Sequence, residues 1–426
     1  MHDAFDRQHR HDLIGVRLQW LFIVGGLVVF TTSTSATEIA LAPAAVYTFI
    51  RLNNTWRCYP SCLLQPILLL SVAFVAWSAL SLLWTPDLTQ GLDELAKVRV
   101  LGLWLILWPL MRARRWFIGA LCVGFALGNL VQTLHVIGTA LDLPPLQWNR
   151  HLGRNSGWWD PVVGGTLLTG ALGLHLPAAL MGRGRWRFIG AGGCVVTGMG
   201  ILATGTRGAW LASAALVLLS LFIAGVVRLR ERWPSARTLF AGLCVIVLTL
   251  ALGWLVAGGL VQSRIGEARE ELSRAAEGDY DSFTGARILM GRWGVEAIRE
   301  RPVGGVGLGG YGAHVRETHP DEPGLPVHDH AHNTLIQIGA TTGLVGVLLG
   351  LGVFTVALRS GFILQAGERL GSYDAGPAFA LLGLFLAGGF DVVHLNAQTA
   401  ALLGVLLVLC SGARPASGGA LSRPTA

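Results

Sequence analysis

Charge is scarce in this sequence, and lysine is almost absent. Of the 426 residues only 13% are charged, whereas soluble domains carry about a quarter, and Lys97 is the only lysine. With 52% hydrophobic residues and a mean hydropathy of +0.55, an ordinary soluble domain is excluded. The net charge of +7 does not indicate nucleic-acid binding, because the basic residues lie in short clusters between apolar runs.

Cysteine is also scarce, which argues against a disulfide-stabilised fold. All the cysteines fall within predicted helices or on the predicted cytoplasmic side, and one lone pair does not indicate a zinc site. We therefore expect no structural disulfide. The six residues are Cys58, Cys62, Cys122, Cys194, Cys244 and Cys410.

A cleavable signal peptide is a further feature that the sequence does not indicate. The polar segment 1–12 is followed by an apolar run that is long enough to span a membrane, and no small-residue cleavage site follows it. This pattern favours a retained first helix.

Long apolar runs dominate what is present, and hydropathy predicts about twelve membrane-spanning helices. The approximate spans are 16–32, 37–51, 63–83, 95–111, 116–140, 161–181, 187–204, 208–227, 238–261, 334–358, 375–391 and 397–411. The expected fold class is an all-α polytopic membrane protein.

Arginine clusters occupy alternate loops between these spans. They are Arg7 and Arg10; Arg51 and Arg57; Arg112, Arg114 and Arg115; Arg183, Arg185 and Arg187; Arg228, Arg230, Arg232 and Arg237; Arg359 and Arg369; and Arg414. By the positive-inside rule these loops are cytoplasmic, and both termini are then cytoplasmic too.

The predicted outward loop between spans 9 and 10 is much longer than the others. It covers 262–333 and lacks the composition of disorder. Residues 264–277 and 286–300 show helical periodicity, and we expect the loop to cap a cavity or lie along the membrane surface. The chain then divides into helices 1–9 (1–261), this outward loop (262–333), and helices 10–12 with a cytoplasmic tail (334–426).

Arginines in outward loops are informative, because membrane topology alone does not put them there. Arg207 is either an arginine that snorkels to the interface or an anion ligand at a helix start. Arg287 opens a predicted helix, where the helix dipole disfavours a cation, so an external ligand would explain it. For Arg264 and Arg269, which lie near the acidic run 267–271, surface ion pairs are an equal explanation. Several guanidinium groups facing one cavity would suit a diphosphate.

The densest cluster of titratable groups is the segment 328–333, which reads His-Asp-His-Ala-His-Asn. Its three alternating histidines could bind zinc if the segment were extended. A general base at the cavity rim is the favoured interpretation, with His332 best placed and Asn333 as the N-cap of the next span. Asp391 and His394 lie at the outer end of span 11, where the acid could orient a histidine, pair with an arginine or be purely structural.

The segment 305–310 formally fits the dinucleotide-binding pattern G-x-G-x-x-G. It follows a predicted helix rather than a strand, so the pattern predicts a tight loop instead.

Three pieces of the sequence together resemble the O-antigen ligase family. They are Thr206-Arg207-Gly208-Ala209-Trp210; Arg287 with Trp293, Ala297, Pro302, Gly305 and Gly307; and His330-Ala331-His332-Asn333 before Gly339 and Gly343. The region is shared with O-antigen polymerases and bacterial protein O-oligosaccharyltransferases, and the match is specific over about 200–350.

The resemblance implies a GT-C-like glycosyltransferase of the bacterial inner membrane, with its active site at the periplasmic face. Such enzymes take a glycan from undecaprenyl diphosphate and need no nucleotide sugar, metal or other cofactor. For a ligase the acceptor is the lipid A–core oligosaccharide.

Carried over by position, Arg207 and Arg287 would bind the donor diphosphate, and His332 would assist activation of the acceptor hydroxyl. Arg154 and Arg264 match the family more loosely and are expected to bind substrate. The further candidates for substrate binding are His330, Asp391 and Arg292.

Two other functions remain open. A polymerase uses the same donor and differs only in its acceptor. A lipid-linked glycan transporter or flippase would also line a polar path with arginines, but it should show paired halves and charges near mid-membrane. The charges here gather at one predicted surface, and the chain stops soon after span 12, whereas protein O-oligosaccharyltransferases usually carry an additional C-terminal region. The first feature argues against a transporter, and the second favours the ligase over a protein O-oligosaccharyltransferase.

Overall fold

The structure is a computed structural model that describes residues 12–32, 34–143, 154–231, 258–259, 262–320, 329–366 and 373–411. The described chain is helical and contains no strand. The helices of eight or more residues are α1 (Leu13–Val29), α2 (Thr34–Ile50), α3 (Pro66–Ser81), α4 (Leu88–Ala96), α5 (Arg114–Ala140), α6 (Pro161–Met181), α7 (Arg185–Ala203), α8 (Arg207–Glu231), α9 (262–276), α10 (Phe283–Glu300), α11 (Tyr311–Thr318), α12 (Thr334–Ala366), α13 (Gly376–Ala387) and α14 (Ala397–Ser411). Shorter helical segments are Leu52–Thr55, Trp56–Cys58, Tyr59–Leu63, Leu82–Trp84, Lys97–Leu101, Gly102–Leu107, Trp108–Ala113 and Tyr373–Ala375.

Among the described residues, six helical stretches are long and apolar enough to cross a membrane. They are Pro66–Trp84, Leu88–Ala140, Pro161–Met181, Arg185–Ala203, Arg207–Val226 and Thr334–Phe362, and four shorter apolar helices accompany them: Leu13–Val29, Glu38–Ile50, Tyr373–Ala387 and Ala397–Ser411. The expected class, an all-helical polytopic membrane protein, is confirmed. The count of about twelve stays a prediction, since nearly all of span 238–261 lies outside the described residues.

The predicted span 95–111 is not one regular helix. It consists of the short segments Lys97–Leu101, Gly102–Leu107 and Trp108–Ala113, and Leu110 has non-helical angles (φ −114°, ψ 21°). Pro109 lacks a backbone N–H and crowds the preceding turn, which accounts for the interruption between Leu107 and Trp108.

Helix α6 is the central helix of the bundle, because 16 of its 21 residues are buried. Its neighbours approach it through small residues. A Cβ atom at Gly173 would lie 2.5 Å from the backbone of Ala380 in α13, and one at Gly165 would lie 2.7 Å from Cβ of Ala209 in α8. Small residues at such contacts let helix backbones pack closely in a membrane. As a result, the start of α6, the start of α8 and the end of α13 lie near one another at one end of the bundle.

At the opposite end, arginines pair with acids and with backbone carbonyls. Arg51 Nε lies 2.8 Å from Asp12 Oδ2, and Arg114 donates to the carbonyl oxygen of Asp374 at 2.7 Å and to that of Leu409 at 2.6 Å. These contacts bring together the starts of α5 and α13 and the end of α14. They agree with the alternation of loops that the charge pattern predicts.

Helices α9, α10 and α11 form a helical cap, and a second, smaller core lies within it. The buried members of this core are Leu289, Met290, Trp293, Ala297, Val306, Tyr311, Val315, Ala331 and Ala340. The helices predicted at 264–277 and 286–300 are confirmed as α9 and α10. Helix α10 starts three residues earlier than predicted, because Ser282 accepts a hydrogen bond from the backbone N–H of Gly285 and caps it.

Helix α12 is broken at Gly343, which has φ 68° and ψ −173°. A break within an apolar helix leaves backbone groups unpaired, and such groups are costly away from water. The loop that follows α10 supplies their partners. The N–H groups of Val306 and Gly307 donate to the carbonyls of Ala340 (2.8 Å) and Thr341 (2.9 Å), and Leu344 N–H donates to the carbonyl of Pro302 (2.8 Å).

The glycines of the segment 305–310 make this approach possible. Gly305, Gly307 and Gly309 all have positive φ, at 65°, 97° and 73°, a region that favours glycine. A Cβ atom at Gly305 would lie 2.5 Å from the carbonyl carbon of Thr341, and one at Gly307 would lie 2.5 Å from Cα of Thr85. The predicted tight loop is confirmed, and the glycines serve backbone packing.

Replacing Gly305 by alanine should lower the free energy of unfolding by about 2 kcal/mol or more, because the new Cβ atom meets backbone and the positive φ is strained. Thermal unfolding of the detergent-solubilised protein measures this loss. Gly119→Ala in α5 is the matched control, since nothing lies within 4 Å of the corresponding Cβ position. Equal melting temperatures for the two variants would contradict the packing described here.

Candidate functional site

Helix α8 begins at Arg207, as the sequence predicted, and two threonines fix its start. Thr206 donates from its hydroxyl to the carbonyl of Pro161 at the start of α6 (2.8 Å), and Thr204 donates to the carbonyl of Ile201 at the end of α7 (2.7 Å). Gly205 between them has φ 62°. The chain therefore turns sharply from α7 into α8, and Arg207 is held at this end of the bundle.

Arg154 is brought to the same place by a buried glutamine. Gln132 of α5 donates from its amide to the carbonyls of Asn155 and Gly200, both at 2.8 Å, and Asn155 N–H donates to the carbonyl of Ala203 at 2.9 Å. These bonds tie the segment after residue 153 to the end of α7.

Gly205 has Arg154 and Arg264 on one side. A Cβ atom at Gly205 would lie 3.4 Å from Cγ of Arg154 and 3.7 Å from Nη2 of Arg264. Arg287 lies in the second turn of α10. Burial lowers the pKa of the Arg154 guanidinium, and the positive charges of Arg264, Arg287 and Arg207 lower it further. Four arginines therefore act on one another at one end of the bundle, and we call Arg154, Arg207, Arg264 and Arg287 the arginine cluster.

Carboxylates of the cap lie against this cluster. Arg207 Nη2 lies 2.9 Å from Glu271 Oε2, and Arg264 Nη1 lies 2.8 Å from Glu267 Oε2. For Arg264 the sequence left two explanations, a surface ion pair or an anion ligand. The ion pair is observed, but the arginine side chain is only 18% exposed. Burial lowers the pKa of the Arg287 guanidinium and outweighs the negative charge of Asp391, which raises it.

His332 and Asp391 form a pair beside the arginine cluster. His332 Nδ1 lies 3.7 Å from Asp391 Oδ1, with side-chain exposures of 14% and 19%. Burial raises the pKa of Asp391, but the neighbouring imidazole and a hydrogen bond from the backbone N–H of Val392 outweigh it and hold the pKa below its usual range. The rings of His330 and His332 have centroids 4.2 Å apart. Because Asp391 acts on Arg287 as well, the histidines and the arginines share one site.

Helix ends hold this pair in place. Asn333 caps α12, as the sequence predicted, by accepting from the N–H groups of Leu335 (3.0 Å) and Ile336 (3.1 Å). Thr334 N–H donates to the carbonyl of Gly388 at 2.7 Å. A Cβ atom at Gly208 would lie 2.6 Å from Cβ of Phe390, so the start of α8 packs against the residue before Asp391.

Arg292 is the one predicted site residue that these contacts do not join to the cluster. It is 65% exposed and pairs with Glu296 one turn along α10, at 3.1 Å. Its role in substrate binding stays a prediction without support from proximity.

A metal site among the histidines also stays open as an alternative. Among the described residues, no group of three or more histidine, cysteine, aspartate or glutamate side chains is placed to hold a metal ion. His328, the first of the three alternating histidines, lies outside the described residues.

A cavity of about 390 Å³ lies beside Asn333 and His394, and no local sequence pattern predicted its position. Most of its wall is apolar and comes from α3, α12 and α13, for example Phe74, Leu351 and Phe385. Its polar lining groups are Ser71, Ser78, Glu94, Lys97, Asn333, Thr334, Thr341, Thr342 and His394. His394 was predicted at the outer end of span 11, and burial, with the charges of Lys97 and His330, lowers its pKa to about 4.

Comparison with known proteins finds a family match for part of the chain. Residues 192–351 match the family model described as O-antigen ligase, and no curated protein matches the chain. The matched region contains Arg207, Arg264, Arg287 and His332, while Arg154 and Asp391 lie outside it. Members of this family are glycosyltransferase-like ligases or polymerases. Residues 192–351 of this chain are thus similar to the O-antigen ligase family, as the motifs in the sequence indicated.

Proposed function

We propose that the protein is an O-antigen ligase of the bacterial inner membrane. It transfers a glycan from undecaprenyl diphosphate to the lipid A–core oligosaccharide at the periplasmic face. The observation that carries this proposal is the arrangement of the arginine cluster beside the His332–Asp391 pair. The cluster would hold an anionic leaving group, and the pair would act on the acceptor.

The arginine cluster supplies the main electrostatic effect. When the bond between the anomeric carbon and the diphosphate oxygen breaks, the electron pair leaves with undecaprenyl diphosphate. Fixed cations aimed at that developing charge lower the barrier. Each guanidinium group can bind phosphate oxygens through two N–H groups. With arginines in this role, transfer does not depend on a divalent metal ion.

His332 completes the reaction on the acceptor side. As the acceptor oxygen forms its bond to the anomeric carbon, its proton passes to the imidazole. Asp391, 3.7 Å away, stabilises the imidazolium that results. His330 adjoins His332 and would contact the acceptor sugar.

The apolar cavity has the lining that a lipid donor requires. It lies among helices that would cross the membrane, and its lining includes Asn333, the residue after His332. A polyprenyl chain is apolar and forms no hydrogen bonds along its length. A mainly apolar wall such as this one therefore suits it. The donor would then extend from the cavity to the arginine cluster, with its anomeric carbon near His332.

Substitution of the central residues should slow transfer strongly. In a reconstitution with undecaprenyl-diphosphate-linked glycan and lipid A–core, we expect His332→Ala to slow transfer by roughly 10²-fold or more, and Arg287→Ala by a similar factor. A gel that separates modified from unmodified lipid A–core measures the rate, with EDTA present throughout. Arg299→Ala, an exposed arginine on the same helix, should behave as wild type.

The same assay distinguishes the alternatives. Growth of the donor glycan without transfer to lipid A–core would identify a polymerase. No reaction of either kind by wild type would favour transport of the lipid-linked glycan. Full activity of a folded His332→Ala variant would remove the histidine from the mechanism.

Blocking the cavity should affect long lipid donors selectively. Gly350 lines the cavity, and a Cβ atom there would meet only Ile338 and Phe74, at 3.7 and 3.9 Å. The leucine side chain in Gly350→Leu would fill space that the prenyl chain needs. This variant should therefore lower kcat/KM for the undecaprenyl donor by roughly tenfold. A donor with a short prenyl chain should lose much less. The comparison is made by initial rates with both donors.

Gly192→Leu is the matched control, because nothing lies within 4 Å of the Cβ position at this exposed residue of α7. Equal losses with the long and the short donor would show that the prenyl chain does not occupy this cavity.

A further inference from the structure

Glu271 connects three elements of the candidate site, and the sequence did not single it out. Its carboxylate accepts from Arg207 Nη2 at 2.9 and 3.1 Å and from the backbone N–H of Thr284 at 3.1 Å. Arg207 starts α8, Glu271 belongs to α9, and Thr284 lies in the first turn of α10, which carries Arg287. One carboxylate therefore sets the position of Arg207 relative to the helix that holds Arg287.

The pair is well shielded from solvent. The side chains of Arg207 and Glu271 are 24% and 16% exposed. The hydrogen bonds from Thr284 and Arg207 outweigh the effect of burial and hold the pKa of Glu271 below its usual range. The carboxylate is therefore ionised at neutral pH and interacts with Arg207 as a full charge.

Only one terminal nitrogen of Arg207 takes part in this contact. Both carboxylate bonds go to Nη2, whereas Nη1 is buried and has no hydrogen-bond partner among the described residues. A buried donor without a partner is costly, and a substrate oxygen can satisfy it. Because the guanidinium group is planar and rigid, anchoring Nη2 also fixes the direction in which Nη1 points.

We propose that Glu271 is a positioning residue for the diphosphate of the donor: it stays bound to Nη2 of Arg207 and directs Nη1 to a diphosphate oxygen. The proposal rests on the proposed function and adds to it a residue that does not touch the substrate. The opposite role would be a carboxylate that occupies the place of a phosphate group and leaves when the donor binds. The geometry points to the first role, since the contact leaves Nη1 available.

The test compares Glu271→Gln with Glu270→Gln, a neighbouring exposed residue of α9 with the same change of charge. Binding of undecaprenyl diphosphate in detergent is measured directly, and initial rates are measured with varied acceptor. Glu271→Gln should weaken binding of undecaprenyl diphosphate by roughly tenfold and leave KM for the acceptor unchanged. Glu270→Gln should leave both unchanged. Tighter or unaltered binding by Glu271→Gln would overturn the proposal.

A double-mutant cycle separates positioning from a general structural role. If Glu271 acts through Arg207, adding Glu271→Gln to Arg207→Ala should not weaken binding of undecaprenyl diphosphate further. An equal loss in both backgrounds would overturn the proposal. Should Glu271→Gln not fold, Glu271→Asp keeps the charge but withdraws the carboxylate by one methylene, and the same cycle applies. Glycan transfer by wild type tests the proposed function separately, since it does not depend on how Glu271 acts.

Discussion

Repulsion among the guanidinium groups of the arginine cluster is the constraint on which this end of the molecule depends. Like charges brought together away from bulk water raise the free energy of the fold, unless opposite charges lie among them. The structure places Glu267 and Glu271 on the cap and Asp391 beyond α13 against the cluster. Glu267 pairs with Arg264, Glu271 pairs with Arg207, and both Asp391 and Glu271 act on Arg287. These contacts leave other N–H groups of the cluster, such as Arg207 Nη1, available to a ligand.

Close packing of the helices brings these charges together. The cluster, His332 and Asp391 come from distant parts of the sequence, and helix ends hold most of them. Contacts of small residues bring the starts of α6 and α8 together, Gly208 meets Phe390, and Thr334 bonds to Gly388. A bulkier residue at any of these contacts would separate the ends, and hence the arginines from the histidine. The apolar core thus fixes the geometry of the polar site.

The class of the fold and several residues of the candidate site could be predicted from the sequence, because local patterns carry both. Apolar runs identified the membrane helices, and arginines in outward loops singled out Arg207 and Arg287. The position of Asn333 before an apolar run predicted its cap. The role of Glu271 could not be predicted, because its partners lie 64 and 13 residues away along the chain. The break at Gly343 and the apolar cavity likewise depend on contacts between distant segments, and no local pattern encodes them.

His332 shows how the fold maintains an unfavourable conformation at the site. Its φ of 49° lies in the left-handed region, which costs a residue other than glycine about 1 kcal/mol or more. The residues on either side offset this cost: Asn333 caps α12, and Ala331 N–H donates to the side chain of Gln337 at 2.8 Å. The turn orients the imidazole toward Asp391. A histidine in regular helix at this position would point elsewhere, so the strained backbone helps to bring the His332–Asp391 pair to the arginine cluster.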